Sequence, residues 1–445
     1  MVSEIRSPNS IHDPDGYVVL KDSKLLRIMT ENYLPHYTYL AESGLYDCLI
    51  FSKWLLNHDL SSGYLTAEPE IVPFISYPYE WSFNQLKDAA LLTLSIQKVA
   101  LEYGMTLKDA PASNIQFVQG KPVLIDITSF EIYQEGKPWQ AYRQFCKEFL
   151  APLALASYVS VETLEWLKAY PNGVPIKLAS SLIPKRHFIS ELGLHLYLHS
   201  RLNSKTLPKK SHINNRRLIN IIDSLYRTVK RLPLPKDKTL WSNYYGGSSN
   251  YSKVAVEAKE QAIKEALDIT MPDKVLDLGC NEGFYTAKIA REVNKIVALD
   301  SDSQAIDSLY RIHIENILPL VADLCNPSPA SGWLNSEKDS LLTRLQAFKF
   351  DMVVALALIH HLCLKGSISL DLIASSFREL GEWLLIEFVP EYDEQVVGIT
   401  ITINTHYPYN LTTFLQAFGN YYSIEQSWLI TDSKRTLYLM RRIHD

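Results

Sequence analysis

The chain has 445 residues, 47% of them apolar and 21% charged, with a formal net charge of −5. That length exceeds one ordinary domain, and either half can bury its own core. The mild acidity excludes an overall basic field that would draw nucleic acid or an anionic membrane.

The N-terminal stretch MVSEIRSPNSIHDPDG lacks the apolar segment of a secretory signal. The longest apolar run, Met352 to Leu364, is broken by His360 and His361 and is too short to span a bilayer. Cys48, Cys146, Cys280, Cys325 and Cys363 show no paired spacing, which reads as reduced thiols of a cytoplasmic protein and argues against a zinc site.

In chain order, PFISYPYEWSF places Tyr77, Tyr79, Trp81 and Phe83 at period two. This predicts an edge strand or a linker with one buried face; core packing and a stacking platform for a sugar or aromatic substrate both fit it. Trp81 to Gly104 has the apolar spacing of a long amphipathic helix. MTLKDAPASN follows, carrying Asp109 and Asn114, then a predicted hairpin with its turn at Gln119-Gly120, then Asp126. Three oxygen ligands around a short hairpin can hold a hard cation against phosphates.

This layout resembles the catalytic segment of protein-kinase-like and aminoglycoside-phosphotransferase-like folds. The resemblance implies Asp109 as base and Asn114 and Asp126 as metal ligands, with Mg-ATP as the cofactor if the site is intact. The departures are plain. Leu107-Lys108 stands for His-Arg, Ile127-Thr128 stands for Phe-Gly, and no glycine-rich loop precedes them. The expectation is an α+β kinase-like accessory or substrate domain over residues 1–236, with phosphotransfer disfavoured.

The basic stretch Lys205 to Arg217 reads as a solvated loop. Pro, Gly and Ser then cluster in LPLPKDKTLWSNYYGGSSNYSK, which sets the domain boundary near residue 237. Residues 237–252 form a linker or a lid, whose Trp241, Tyr244, Tyr245 and Tyr251 either close over a ligand or dock on the next domain.

From Lys253 a helix is predicted with Val254, Ala258, Ala262 and Leu267 on one side, and strands and helices then alternate as in a parallel sheet. KVLDLGCNEGFYTAKIA runs from a strand into Gly279, Asn281 and Gly283, with Asp277 two residues before the first glycine. Glycines there let a ligand lie on bare main chain, and an acid suits a cationic amino-acid group better than a pyrophosphate. KIVALD ends in Asp300, placed for ribose hydroxyls, and ILPLVAD ends in Asp323, placed for an adenine amino group. FDMVVALALIHHL, WLLIEFVP and RTLYLMRR supply further strands.

This series resembles class I S-adenosylmethionine (SAM)-dependent methyltransferases over residues 253–445. The resemblance implies a Rossmann-like α/β domain with a seven-stranded sheet and a reversed last hairpin. It also implies a SAM site of Asp277, Gly279, Asn281, Gly283, Asp300 and Asp323, with Tyr251 contributed by the lid. Asn/Asp-Pro-Pro-Tyr/Phe, which grips an amide or base nitrogen, is replaced by Leu358-Ile-His-His361. Oxygen or carbon acceptors benefit from a general base. His360 or His361 is the first candidate and Glu387 the second, while alignment alone also suffices in many such enzymes.

The phrases SYPYEWSFNQLKDAALLTL, GMTLKDAPASNIQF, IDITSFE, ALIHHL and RTLYLMRR resemble a family of bacterial two-part proteins labelled as methyltransferases or nodulation-protein-like. The resemblance implies a cytoplasmic methyltransferase acting on a small molecule or glycoconjugate. No nucleic-acid partner and no membrane insertion are expected. Two rivals stay open: a bifunctional phosphotransferase/methyltransferase, and a non-catalytic SAM-binding scaffold.

Overall fold

In the N-terminal half the strands are short and mostly antiparallel. The computed structural model describes residues 5–21, 24–59, 65–198, 214–236, 252–402 and 406–444. It divides the chain into two units, Met1–Asp237 with Ala330–Asp339, and Lys238–Pro329 with Ser340–Asp445. Residues 237–251 of the expected lid, Tyr251 among them, lie outside the described residues, as do residues 205–213 of the basic loop.

In the first unit, β1 (Ile5–Arg6), β2 (Gly16–Lys21), β3 (Lys24–Met29), β4 (His58–Asp59) and β5 (Thr66–Pro69) form an antiparallel sheet in the order β1-β2-β3-β5-β4. The amphipathic pattern after Trp81 becomes the helix Phe83–Glu102. The Ser82 hydroxyl accepts from Gln85 N at 3.4 Å while the Gln85 side chain accepts from Ser82 N at 2.9 Å, a reciprocal cap for the first turn. Leu86, Ala90, Leu94 and Leu101 on this helix are buried.

β6 (Met105–Leu107) pairs with β9 (Phe130–Ile132), and between them β7 (Ile115–Val118) and β8 (Lys121–Leu124) form a hairpin. Its turn residues Gln119 and Gly120 both have positive φ, 50° and 71°, as a two-residue hairpin turn that follows the strand twist requires.

PFISYPYEWSF does not become an edge strand. Pro78 has no N–H to give a ladder, and Pro78–Glu80 folds as one 3-10 turn in which the Glu80 carboxylate accepts from Tyr77 N at 3.0 Å. Tyr77, Tyr79, Trp81 and Phe83 are all buried, so the stretch is core rather than an open stacking platform. Residues 330–339, far off in sequence, belong to the same unit; Asp339 N donates to the Tyr77 hydroxyl at 3.2 Å.

In the second unit the near-continuous apolar runs become strands of one sheet, as strands buried on both faces must, and a polar, largely exposed strand closes its edge. They are β10 (Lys274–Leu278), β11 (Lys295–Asp300), β12 (Ile317–Val321), β13 (Phe350–Ala355), β14 (Gly381–Phe388), β15 (Tyr422–Leu429) and β16 (Thr436–Arg442). The order is β12-β11-β10-β13-β14-β16-β15, parallel through the first five and antiparallel at β16. This is the class I methyltransferase order with its reversed last hairpin.

The helix Lys253–Thr270, capped by Ser252, buries Ala255, Lys259, Ala262, Ile263, Ala266 and Leu267. The expected stripe is therefore rotated. Val254 is exposed and the core face includes a lysine, which apolar periodicity does not count.

Candidate functional site

The carboxyl ends of β10, β11, β12 and β13 open onto one cavity of about 400 Å³, within the size range of small-molecule sites. Its wall includes Gly279, Asn281, Asp300, Asp323, His361 and Gln395. Gly279 sits at φ +75°, and a Cβ there would stand 3.1 Å from Leu358 Cδ1. A side chain would thus be strained by the backbone and crowded by the facing strand's loop, while glycine leaves main chain bare to a ligand.

Asp300 ends β11 with its carboxylate fixed by backbone: Asn281 N donates to Oδ2 and Asp302 N to Oδ1, each at 2.8 Å. Burial raises its pKa above the ordinary value, against the pull of those N–H groups. Asp323 is more exposed, and its Oδ1 accepts from Cys325 N at 2.8 Å. A bare loop with a preset carboxylate at the second strand end and another at the third fits the methionine, ribose and adenine parts of SAM. The strand order of the second unit, with its antiparallel last hairpin, is that of class I SAM-dependent methyltransferases.

Other expected site residues fall elsewhere. Asp277 is 2% exposed and does not line the cavity; the Thr286 hydroxyl donates to its Oδ2 at 2.6 Å, and burial pushes its pKa up to about 6. Gly283, at φ +79°, answers a packing need. A Cβ there would approach Leu309 Cδ1 to 2.3 Å, so its bareness admits the following helix Ser303–Arg311.

The two histidines separate in role. His361 lines the cavity, and burial with nearby Lys365 and Arg435 lowers its pKa to about 4, leaving it neutral at pH 7. His360 is fully buried off the cavity wall, with neither ring nitrogen hydrogen-bonded among the described residues. Burial, then the adjacent His361, holds its pKa far below the ordinary value. Glu387 is equally buried and pairs with Lys259 at 2.7 Å, so its carboxylate neutralises an ammonium inside the core instead of facing an acceptor. Lys365 and Gln395 on the wall carried no motif in the sequence.

In the first unit two residues of the kinase-like pattern, Asn114 and Asp126, meet directly, and Asp109 feels the charge of Asp126. Asn114 Nδ2 donates to Asp126 Oδ2 at 3.2 Å and to Ser129 Oγ at 2.8 Å, while Asp109 accepts from Gln144 at 2.7 Å. A cation from the chain itself is already among them. Arg27 Nη1 lies 2.9 Å from Asp126 and 3.5 Å from Asp13. Burial pushes Asp126 up, but Arg27 and the Thr128 and Ser129 hydroxyls outweigh it and hold the carboxyl below its usual range. Among the described residues no His, Cys, Asp or Glu group is arranged to hold a metal ion, and no helix is long and apolar enough to cross a membrane.

No protein-family model matches the chain. Among curated relatives, the nodulation protein NoeA of Rhizobium meliloti (strain 1021) is 30% identical over 98% of this chain and 96% of its own length. A 23S rRNA (uracil(1939)-C(5))-methyltransferase RlmD of Stenotrophomonas maltophilia (strain R551-3) is 29% identical over 21% of this chain and 22% of its own. Among solved structures, the N-methyltransferase NodS from Bradyrhizobium japonicum WM9 aligns at TM-score 0.33 and 13% identity, covering 43% of this chain and 99% of that one. WbdD aligns at TM-score 0.31 and 17% identity, covering 48% and 46%. The match to the Rhizobium protein runs through both units, and the chain belongs to the family of the nodulation protein NoeA.

Proposed function

We propose that this protein transfers the methyl group of SAM to an oxygen or carbon acceptor on a small molecule or glycoconjugate. The observation that carries the reading is that His361, neutral at pH 7, shares one cavity with Asp300 and the bare Gly279 loop. When bound, SAM supplies an electrophilic methyl on a sulfonium. The chain's own part is to hold the cofactor through Gly279, Asn281, Asp300 and Asp323, to keep the site apolar with Leu358 and Leu362, and to take the acceptor's proton on His361. Asp277 and Gly283 support this site from below by packing.

The first unit is read as a kinase-like accessory domain. The β6–β9 pair, the β7–β8 hairpin and the Asn114–Asp126 hydrogen bond support the likeness. Arg27 on Asp126 argues against a Mg-ATP site, because its guanidinium occupies the carboxylate that a metal would need. The bifunctional alternative requires magnesium-dependent ATP binding that disappears in Asp126→Ala.

The test is to incubate the full chain with methyl-labelled SAM and fractionated cell extract, with and without ATP and Mg²⁺. Label in small molecules or glycans irrespective of ATP supports the reading. Label only with ATP favours the bifunctional enzyme, and label in RNA or protein overturns the acceptor class. SAM binding with no transfer favours the scaffold.

A further inference from the structure

The segment that follows β12 contributes residues to both units. At its start Asp323, Leu324 and Cys325 line the cavity. There Asp323 O accepts from Asn326 N at 3.1 Å while its carboxylate accepts from Cys325 N at 2.8 Å, which closes the turn on itself. A little further on, the carbonyl of buried Ser328 accepts from Leu341 N at 3.0 Å, tying the outgoing chain to the helix Leu341–Phe348 on which it returns. Between these two points the chain leaves the second unit, and residues 330–339 belong to the first. They form a hairpin in which Ser331 N donates to Lys338 O at 2.9 Å and Lys338 N to Ser331 O at 3.1 Å.

Within the first unit this hairpin is anchored by its second arm. Asp339 N donates to the Tyr77 hydroxyl, and the Lys338 ammonium lies 5.7 Å from the Tyr77 ring centroid and 6.0 Å from that of Tyr79. Burial disfavours the Lys338 ammonium, and buried Glu148 is the largest of the charges that favour it. Glu148 Oε2 in turn accepts from Ala112 N at 2.8 Å, in the loop between Asp109 and Asn114. A hairpin whose root is the Asp323 turn thus acts on the group that fixes the Asp109–Asn114 loop.

A ligand that holds Asp323 also holds the root of the hairpin, so ordering the hairpin then costs less conformational entropy. An anchored hairpin lowers the cost of holding Asp323 in the same way, and by the same factor, because coupling between two sites is reciprocal. We propose that residues 330–339 are a coupling strap: filling the SAM cavity tightens the Asp109–Asn114 loop of the first unit, and the anchored strap tightens SAM binding. The inference rests on the SAM-dependent reading above and goes beyond it by making the first unit a regulator of cofactor affinity.

Hydrogen exchange of the full chain, with and without saturating S-adenosylhomocysteine, reads the coupling, and calorimetry reads the affinity. In the wild type the ligand should slow exchange at residues 324–326 and also at 112–117, the latter about fivefold, the low end of coupling between sites. Lys338→Met with Tyr77→Phe removes the ammonium and the hydroxyl. Slowing at 324–326 should then persist, slowing at 112–117 should vanish, and affinity should fall about fivefold. Lys338→Gln, a single change at a half-buried side chain, should lose part of both effects; it carries the test if the double variant does not fold. No slowing at 112–117 in a wild type that binds the ligand overturns the coupling. Slowing there that survives in the folded variants overturns the strap as its route, and either result leaves the methyltransferase reading standing. Failure of the wild type to bind S-adenosylhomocysteine sinks that reading, and this inference with it.

Discussion

Lys259 and Glu387 meet at 2.7 Å with side chains 1% and 0% exposed, joining the helix before the first strand of the methyltransferase sheet to its fifth strand. The ammonium also lies 4.6 Å from the Tyr285 ring centroid. Burial lowers the Lys259 pKa, and Glu387 opposes that by favouring the charged form. Such a pair is close to neutral as a whole but costly to halve, because the survivor is a buried, uncompensated charge.

Lys259→Met should therefore cost about 3–5 kcal/mol of stability, while Lys259→Met with Glu387→Leu should recover most of it. Urea denaturation of the full chain followed by a signal from the second unit checks this. A single variant as stable as wild type would show that the pair does not form.

Asp300 and Gly283 are expected to fail differently. Asp300→Asn sets an NH2 against one of the two backbone N–H groups that its carboxylate accepts from, so SAM affinity should fall about 10- to 100-fold with a stability cost of about 1–3 kcal/mol. Gly283→Ala places a Cβ 2.3 Å from Leu309 Cδ1 at φ +79°, and should cost about 1–3 kcal/mol of stability. Adding Leu309→Ala should relieve the clash without relieving the backbone strain. Calorimetry with SAM and thermal melts separate the two patterns.

His361→Gln should lower kcat about 10²- to 10⁴-fold at unchanged SAM affinity if the imidazole takes the acceptor proton. With its pKa near 4, the imidazole is already neutral above pH 5, so the wild-type rate should show no His titration between pH 5 and 8. His360→Gln, at a fully buried position off the cavity wall, should act on stability first. A rate that rises through pH 6.5 and loses that step in His361→Gln would contradict the burial of this ring.

Two buried carboxyls should give opposite pH signatures. Asp126 is lowered, so its contribution is complete above the ordinary value of 3.8 and is lost as pH falls through its folded pKa. Asp277 is raised to about 6, so its contribution is complete below 3.8 and is lost as pH rises through 6. The stability of Asp277→Asn relative to wild type should thus climb on the order of 2–3 kcal/mol between pH 4 and 6, then level off. Asp126→Asn should show no such climb in that window. A flat difference for Asp277→Asn would mean that its carboxyl is hydrated.

Much of the methyltransferase sheet was legible from the residues alone, because strands buried on both faces leave unbroken apolar runs. The runs ending in Asp300 and Asp323 and the glycine loop at Gly279 are local features, set by backbone conformation and strand length, so neighbours in sequence suffice to find them. Spacing also pointed to the pairing of Asn114 with Asp126 across a short hairpin.

What local pattern could not supply was the partner of each charge. Apolar periodicity passes over Lys259, whose partner Glu387 stands 128 positions later. Asp126 looked like a metal ligand until β3 delivered Arg27 to it. Gln395 carried no motif at all, since Arg435 orients it from beyond the last hairpin turn. Asp277, Gly283 and His360 fit a cofactor or base pattern by sequence, yet burial takes them off the cavity wall. Desolvation and charge pairing depend on every element packed around a group, and for these residues only the tertiary structure decides them.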